Sequence, residues 1–569
     1  MVRVALGQFD AVVGDLSFNG LKMREIYHQA LARQVDLLVF PELAVCGYTP
    51  EDLLLSKHFL QDVSAALEKL ASDCPEITMV VGFAEDYEDT CYNSAAILQQ
   101  GRIRKIYRKS RLVNAGVFDE LRYFRPGTEP LIMNMAGLNV AFTVCADIWD
   151  TQWLGSFLCS SLYRPPRSSK PARAKSGSSR QDRIQLIVNI SASPFHIGKH
   201  QQRQAMLSAC AKQFDCVVCY CNLVGGQDEL VFDGRSMFMD TNGNVVSQAK
   251  AFEEDLVIAE ITASADGMAD VRSGEPAEPQ PLEEIDELYR ALVLGTRDYT
   301  RKNGFEKVLL GLSGGIDSSV TAAIAVAALG AENVLAVTMP SQFTSADTIA
   351  DAQKVADNLG IKLLTVPIES ILANFDSALK KIAGWQDKGI AYENLQARIR
   401  GCLLMTLSNL FGFLVLTCGN KSETAVGYVT VFGDTAGGFA VMKDVPKTLV
   451  YKVAKYVNQI FGRVIIPEAV IKRAPSAELR AGQKDSDDLP EYDVLDMILA
   501  DYLLEEKSAK QIVAEGFDEE LVRSVMRMVN RSEYKRRLSP LGIKVTPNAF
   551  GRDRRLPVTN RYRPYDSGP

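Results

Sequence analysis

Short apolar runs alternate with segments of helical periodicity along most of this chain. In the first half the runs are Val2 to Leu6, Val35 to Phe40, Ile77 to Phe83, Asn139 to Cys145, Ile184 to Ile190 and Cys216 to Leu223. Runs of that length predict strands, and their alternation with helices predicts a layered α/β domain. Asn242-Gly243, between Ser236 to Met239 and Asn244 to Val246, predicts a hairpin turn. Residues Thr262 to Leu282 are poor in apolar side chains and rich in Pro, Gly and acids, which predicts a linker at 263–282 between domains 1–262 and 283–569. A helical pattern follows from Glu283 to Lys302. Strands are then expected at Lys307 to Leu312, Val334 to Thr338 and Lys362 to Val366, with helices between them. That order predicts a doubly wound parallel sheet with its ligand at the strand C-terminal ends.

Composition adds bounds to this picture. A chain of 569 residues is too long for one core, and 47% hydrophobic with 23% charged residues is ordinary globular usage. The formal net charge of −7 argues against bulk nucleic-acid affinity. Eleven cysteines without a repeating framework, and a chain opening directly on a strand pattern, point to the reducing cytoplasm. The most apolar stretch, Cys402 to Cys418, is broken by Ser408, Asn409 and Gly412, and predicts a buried helix running into a strand rather than a membrane span. Residues 160–183 mix Pro, Ser, Lys and Arg with few apolar positions, which predicts a disordered basic insert at the surface. Cys216, Cys219 and Cys221 form a CxxCxC cluster, but on a strand Cys219 and Cys221 share one face and Cys216 takes the other. They read as small core residues rather than metal ligands.

Three predicted strand ends carry chemically able residues: Glu42 after the second strand, Lys109 in YRKSRL and Cys145 in FTVCADIW. Together they make a workable amidase. Cys supplies the nucleophile, Glu takes and returns the proton, and Lys stabilises the oxyanion, with no histidine required. Their surroundings, FPELAVCGYTPEDLL, KSRLVNAGVFDELRYF and CADIW, resemble three signatures of the nitrilase superfamily, in the version that serves NAD synthetases as a glutaminase domain. The resemblance implies an αββα sandwich and a Glu42, Lys109, Cys145 triad that hydrolyses glutamine through a thioester. It also implies that Glu120, Ser193 and Lys199 hold the glutamine head group. Two local departures stand out: Val113-Asn114-Ala115 where relatives usually carry Pro-Asn-Tyr, and Ala146 where they usually carry Glu.

The second half is organised around Gly311-Leu312-Ser313-Gly314-Gly315-Ile316-Asp317-Ser318-Ser319, a Gly- and Ser-rich turn between two apolar runs. Backbone N–H groups, Ser hydroxyls and a helix N-terminus aimed at one anion suit phosphate, and an acid within the turn suits magnesium. The turn resembles the SGGxDS loop of ATP pyrophosphatases. With MPSQFTSADT, YENLQARIRG, TCGNKSETAVGYVTVFGD and PSAELR it resembles the ammonia-transferring domain of NAD synthetases, of adenine nucleotide α-hydrolase-like fold. The match implies Ser313, Gly314, Gly315, Asp317, Ser318 and Ser319 on ATP and pyrophosphate, and Asp317 and Glu423 as magnesium ligands. It implies Arg398, Thr430, Asp434, Lys447 and Lys535 on the nucleotide substrates. The basic, aromatic-rich tail from Lys535 to Arg563 would on its own suggest RNA or DNA. Beside these motifs a dinucleotide substrate accounts for the same features. The implied activity is ATP-dependent amidation of deamido-NAD with ammonia from glutamine, by a homo-oligomer without nucleic-acid or membrane partners.

Overall fold

The computed structural model describes residues 1–159, 183–263, 268–274 and 282–563. The insert at 160–183 therefore lies outside the described residues but for its last position, as does most of the predicted linker. The chain divides into two compact units, the first made of Met1–Gln227 and Val231–Leu282, the second of Asp228–Leu230 and Glu283–Pro569.

The first unit contains β1 (Val2–Gln8), β2 (Leu37–Val39), β3 (Thr78–Tyr87), β4 (Thr90–Gln99), β5 (Arg102–Arg108), β6 (Leu131–Met135), β7 (Leu138–Val144), β8 (Leu186–Ser191), β9 (Val217–Asn222), β10 (Val224–Gln227), β11 (Leu230–Asp233), β12 (Met237–Met239), β13 (Val245–Gln248), β14 (Asp255–Ala263) and β15 (Ala269–Ser273). Seven strands form one sheet in the order β15-β14-β1-β2-β3-β4-β5, and six form a second in the order β13-β12-β9-β8-β7-β6. Strand alternation builds the core. Val4 and Leu6 of β1, Val140, Phe142 and Val144 of β7, and Cys219 and Cys221 of β9 fill the space between the sheets. The intervening residues Ala141, Val218 and Tyr220 face outward, where they pack with Leu207, Ala211 and Phe214 of helix Lys199–Phe214. Helices Leu16–Ala32 and Lys57–Asp73 cover the other sheet, completing four layers. Cys216 falls in the outer cluster, opposite Cys219 and Cys221, as its parity on the strand requires.

Two expectations need correcting here. Part of the predicted linker, Ala269–Ser273, is β15, an edge strand paired antiparallel to β14. Ala269 and Val271 turn inward while Asp270 and Arg272 stay exposed, so two apolar side chains suffice for an edge that needs burial on one face only. In the second unit, helix Ile390–Phe411 does run into a strand, but its end is not buried: Cys402, Met405, Leu410 and Phe411 are exposed.

The second unit holds β16 (Val308–Gly311), β17 (Val334–Thr338), β18 (Lys362–Thr365), β19 (Leu414–Thr417) and β20 (Phe439–Ala440), all parallel, in the order β18-β17-β16-β19-β20. The strand order reverses at β16, so a crevice opens between the ends of β16 and β19, where a doubly wound sheet binds ligands. Helices Glu284–Lys302, Ile316–Leu329 and Lys447–Ile460 pack together. Helices Glu369–Leu379 and Ile390–Phe411 share a separate core with Leu309, Val337 and Val415 of the sheet. A helical cluster, Tyr492–Leu503 with Glu519–Arg531, closes the C-terminal part through Leu495, Ile498, Val522 and Met526.

Candidate active sites

In the first unit the three candidate residues stand just past strand ends, Glu42 beyond β2, Lys109 beyond β5 and Cys145 beyond β7. All three are buried, at 1%, 1% and 5% exposure. The Lys109 ammonium donates to Glu42 Oε1 at 2.8 Å and to Glu120 Oε1 at 2.7 Å. Asn93 Nδ2 and the Ala192 N–H donate to the two Glu42 oxygens at 2.7 and 2.8 Å, fixing that carboxylate from both sides. Glu120 Oε2 accepts from the Val113 N–H at 2.7 Å, and so ties down the loop that carries the Val113-Asn114-Ala115 departure. Ala115 itself is exposed. Gly82 of β3 lets the Glu42 segment come this close, because a Cβ there would stand 2.4 Å from both the Pro41 oxygen and the Leu43 nitrogen.

Cys145 adopts φ of 44°, a left-handed backbone that is uncommon for any residue but Gly. Burial, reinforced by the Glu42 charge, pushes its thiol up to about 12. A thiol raised that far carries its proton at neutral pH, so a nearby base is needed to make it a nucleophile. Burial opposes the charge of Lys109, but the Glu120 and Glu42 carboxylates outweigh it and hold the ammonium well above the usual lysine range. A buried cation beside a thiol, with carboxylates fixing it, can stabilise an oxyanion formed on a carbonyl attacked by sulfur.

The glutamine candidates lie in the same unit. Ser193 follows β8, with its N–H donating to Asn222 Oδ1 at 2.9 Å. Its carbonyl accepts from Arg203, which is fully buried and paired with Asp233 at 3.0 Å. Lys199 opens helix Lys199–Phe214, its ammonium 4.2 Å from the centre of the Trp149 ring, four residues past Cys145.

In the second unit the turn after β16 hydrogen-bonds to itself. Ser313 Oγ accepts from the Gly315 N–H at 3.2 Å and lies 3.0 Å from Ser318 Oγ, while Ser319 Oγ donates to the Gly315 carbonyl at 2.8 Å. Helix Ile316–Leu329 starts at Gly315 with no side chain capping it, which leaves its first N–H groups directed at the turn. Asp317 accepts from Asn420 Nδ2 at 2.9 Å, and Asn420 also accepts from the Glu423 N–H at 3.0 Å, so the loop after β19 is tied to the loop after β16. Lys447 spans the two acids, donating to Asp317 Oδ2 and, at 3.1 Å, to Glu423 Oε1. Burial lifts Glu423 to about 7 against the pull of Lys447, and the same two carboxylates hold Lys447 above the usual lysine value.

Among the described residues no three His, Cys, Asp or Glu side chains gather as a closed metal cage. Magnesium does not require one, since it is commonly held by one or two carboxylates together with substrate phosphates. Asp317 and Glu423 fit that pattern, because a single ammonium reaches both. The other nucleotide candidates line a neighbouring loop. The Thr430 N–H donates to Asp434 at 3.0 Å, Lys535 donates to the Gly427 and Val429 carbonyls at 2.7 and 2.9 Å, and exposed Arg398 donates to the Val431 carbonyl at 3.3 Å.

Several participants were not singled out from sequence. Asn93 and Asp147 in the first unit, and Asn394 and Asn420 in the second, each bond to a partner far away in the chain. Arg400 donates to the Met339 carbonyl at the end of β17, and burial pulls its guanidinium down to about 10. Its place inside YENLQARIRG, two residues beyond Arg398, is the only signal that could have found it.

Comparison with known proteins agrees with this division. Residues 3–153 and 178–269 match the carbon-nitrogen hydrolase family model, and residues 288–539 match the NAD synthase model. The glutamine-dependent NAD(+) synthetase of Thermotoga maritima is 43% identical, with 99% of each chain covered, and that of Acinetobacter baylyi is 42% identical, with 99% of each covered. Among solved structures, the Acinetobacter baumannii glutamine-dependent NAD+ synthetase in complex with adenosine diphosphate matches at 41% identity over 98% of each chain, with a TM-score of 0.76. The Cytophaga hutchinsonii enzyme, 20% identical over 98% of each chain, shares the fold with a TM-score of 0.81. With a buried Glu, Lys, Cys centre in one unit, a Gly/Ser turn facing paired carboxylates in the other, and full-length relatives above 40% identity, the chain belongs to the glutamine-dependent NAD(+) synthetases.

Proposed function

We propose that Cys145 attacks the side-chain amide of glutamine, that Glu42 takes the thiol proton and returns it to the departing ammonia, and that Lys109 stabilises the oxyanion. The observation that carries this reading is the Lys109 ammonium fixed between Glu42 and Glu120 in a buried site beside Cys145. Glu120, Ser193 and Lys199 would hold the glutamine head group. Water entering after ammonia leaves is activated by the same Glu42, which releases glutamate from the thioester.

In the second unit Ser313, Gly314, Gly315, Ser318 and Ser319 cradle the phosphates of ATP. The nicotinate carboxylate of deamido-NAD attacks the α-phosphate, pyrophosphate leaves, and ammonia displaces AMP to give NAD. Magnesium held by Asp317 and Glu423 would neutralise charge on the phosphates. Arg398, Thr430, Asp434, Lys447 and Lys535 are assigned to the nucleotide substrates, and the loop joining Thr430 to Asp434 supports that grouping. Cytoplasmic residence is supported by eleven free cysteines, and homo-oligomeric assembly by the exposed Met405, Leu410 and Phe411 on one helix.

Assaying NAD formation from deamido-NAD with glutamine and with ammonium in parallel tests both halves. Cys145→Ala should lower the glutamine-supported rate about 1000-fold or more and leave the ammonium-supported rate within about twofold. Asp317→Asn and Glu423→Gln should each abolish synthesis from either donor. Equal loss with both donors in Cys145→Ala, or normal ammonium turnover in both carboxylate variants, would refute the assignment.

A further inference from the structure

Asp147 is fully buried in the turn Cys145–Ile148, and its two oxygens accept four hydrogen bonds. Oδ1 takes the backbone N–H groups of Ser110 at 3.1 Å and Arg111 at 2.7 Å. Oδ2 takes the Val144 N–H at 3.0 Å and the Tyr107 hydroxyl at 2.8 Å. Ser110 and Arg111 directly follow Lys109, Tyr107 lies two residues before it, and Val144 directly precedes Cys145. The two segments come from different sheets: β5, which leads to Lys109, pairs with β4 in the seven-stranded sheet, whereas β7, which leads to Cys145, pairs with β6 and β8 in the six-stranded one.

Among the described residues no backbone ladder joins those sheets, so the separation of Lys109 from Cys145 is set by side chains that reach across. Asp147 makes that connection with charge-assisted bonds to backbone on both sides, which are stronger and more directional than apolar packing alone. We propose that Asp147 is a positioning residue for glutamine hydrolysis, holding the strand end that carries Lys109 at a set distance from the turn that carries Cys145. The neutral isostere cannot do this. Asn has one accepting oxygen, so its amide N–H groups would face the backbone N–H of Val144, or those of Ser110 and Arg111, with nothing to accept them.

The proposal rests on Cys145 as the nucleophile, and glutamine turnover by Cys145→Ala tests that point separately. Full-length Asp147→Asn and Tyr107→Phe are assayed for glutamine hydrolysis, with ammonium-supported NAD formation as the internal control. Asp147→Asn should lower kcat for glutamine about 100-fold, with KM within about threefold and the ammonium reaction unchanged. Tyr107→Phe keeps the carboxylate and the packing while removing one donor, and should lower kcat about three- to tenfold at unchanged KM. A merely structural role would reduce folded protein without splitting kcat from KM. A folded Asp147→Asn enzyme with kcat within about threefold of the parent, or one whose loss lies in KM, overturns the proposal. If Asp147→Asn fails to fold, the Tyr107→Phe result decides alone, and an unchanged kcat there overturns it.

Discussion

A thiol pushed up to about 12 is a poor nucleophile at neutral pH until a base takes its proton, and the base proposed for Cys145 is Glu42. The sign of the pH dependence follows. Were free thiolate rate-limiting, its fraction would grow about tenfold per pH unit over the whole range below about 12. With proton transfer to Glu42, kcat/KM for glutamine should stay within about twofold between pH 6.5 and 8, measured by glutamate release. A tenfold rise per unit would mean that the thiolate forms without Glu42. Ala115 supports a second prediction at this scale. It is exposed on the loop pinned by the Val113 to Glu120 hydrogen bond, so a larger side chain can be accommodated. Ala115→Tyr should lower KM for glutamine about two- to tenfold, the worth of one added neutral hydrogen bond, and leave the ammonium reaction alone. Unchanged glutamine affinity would show that the pocket does not extend to residue 115. Glu42 and Cys145 were legible as candidates because each follows or ends an apolar run, and Lys109 through the motif around it. Asn93, Asp147 and Asn420 were not, because an amide or carboxylate in mid-sequence gives no local sign of which distant group it will meet.

At the scale of elements, strand ends position Glu42, Lys109 and Cys145, and glycines permit the closest approaches. Gly314 has φ of 89°, and a Cβ on it would lie 2.1 Å from the Thr348 carbonyl in the next helix. Gly314→Ala should therefore cost about 2 kcal/mol or more of stability in the second unit and depress synthesis from both donors together, because the turn cannot keep its shape. Thermal unfolding and the two-donor assay check this, and a variant with parental Tm and rate would show that the turn has freedom to relax. The strand pattern read from sequence agrees with β3, β7, β8 and β9 to within a few residues. It missed β15, since a five-residue edge strand with two inward apolar positions leaves too short a signal. Helix Ile390–Phe411 shows the converse error. An apolar sequence was read as burial, but Leu410 remains 70% exposed, and periodicity reports an apolar face without saying what covers it.

The whole molecule joins two units with separate cores, and the insert interrupts only the first. The carbon-nitrogen hydrolase match passes over residues 154–177, and β7 pairs with β8 directly through Val140 to Val144 and Leu186 to Ile190. Both strands of that ladder lie outside the insert. Deleting Pro165 to Ser179 should accordingly leave the ammonium-supported rate within about twofold and Tm within a few degrees. A Tm lower by ten degrees or more would assign the insert a structural role.

The sequence by itself determined the two-domain plan, the strand or turn that carries each candidate residue, and the residue types at both candidate sites, because these follow from local periodicity and from motifs only a few residues long. It could not determine what holds Glu42, Lys109 and Cys145 together, since they are 67 and 36 residues apart and lie on strands of two sheets. Their meeting depends on the packing of those sheets through Val4, Leu6, Val140 and Val144 and on the hydrogen bonds of Asn93, Glu120 and Asp147. The same holds for Asp317, Glu423 and Lys447, which converge because β16 and β19 are neighbours where the strand order reverses. Adjacency of strands distant in sequence is a property of the folded sheet, and burial then sets the protonation chemistry of the groups brought together there.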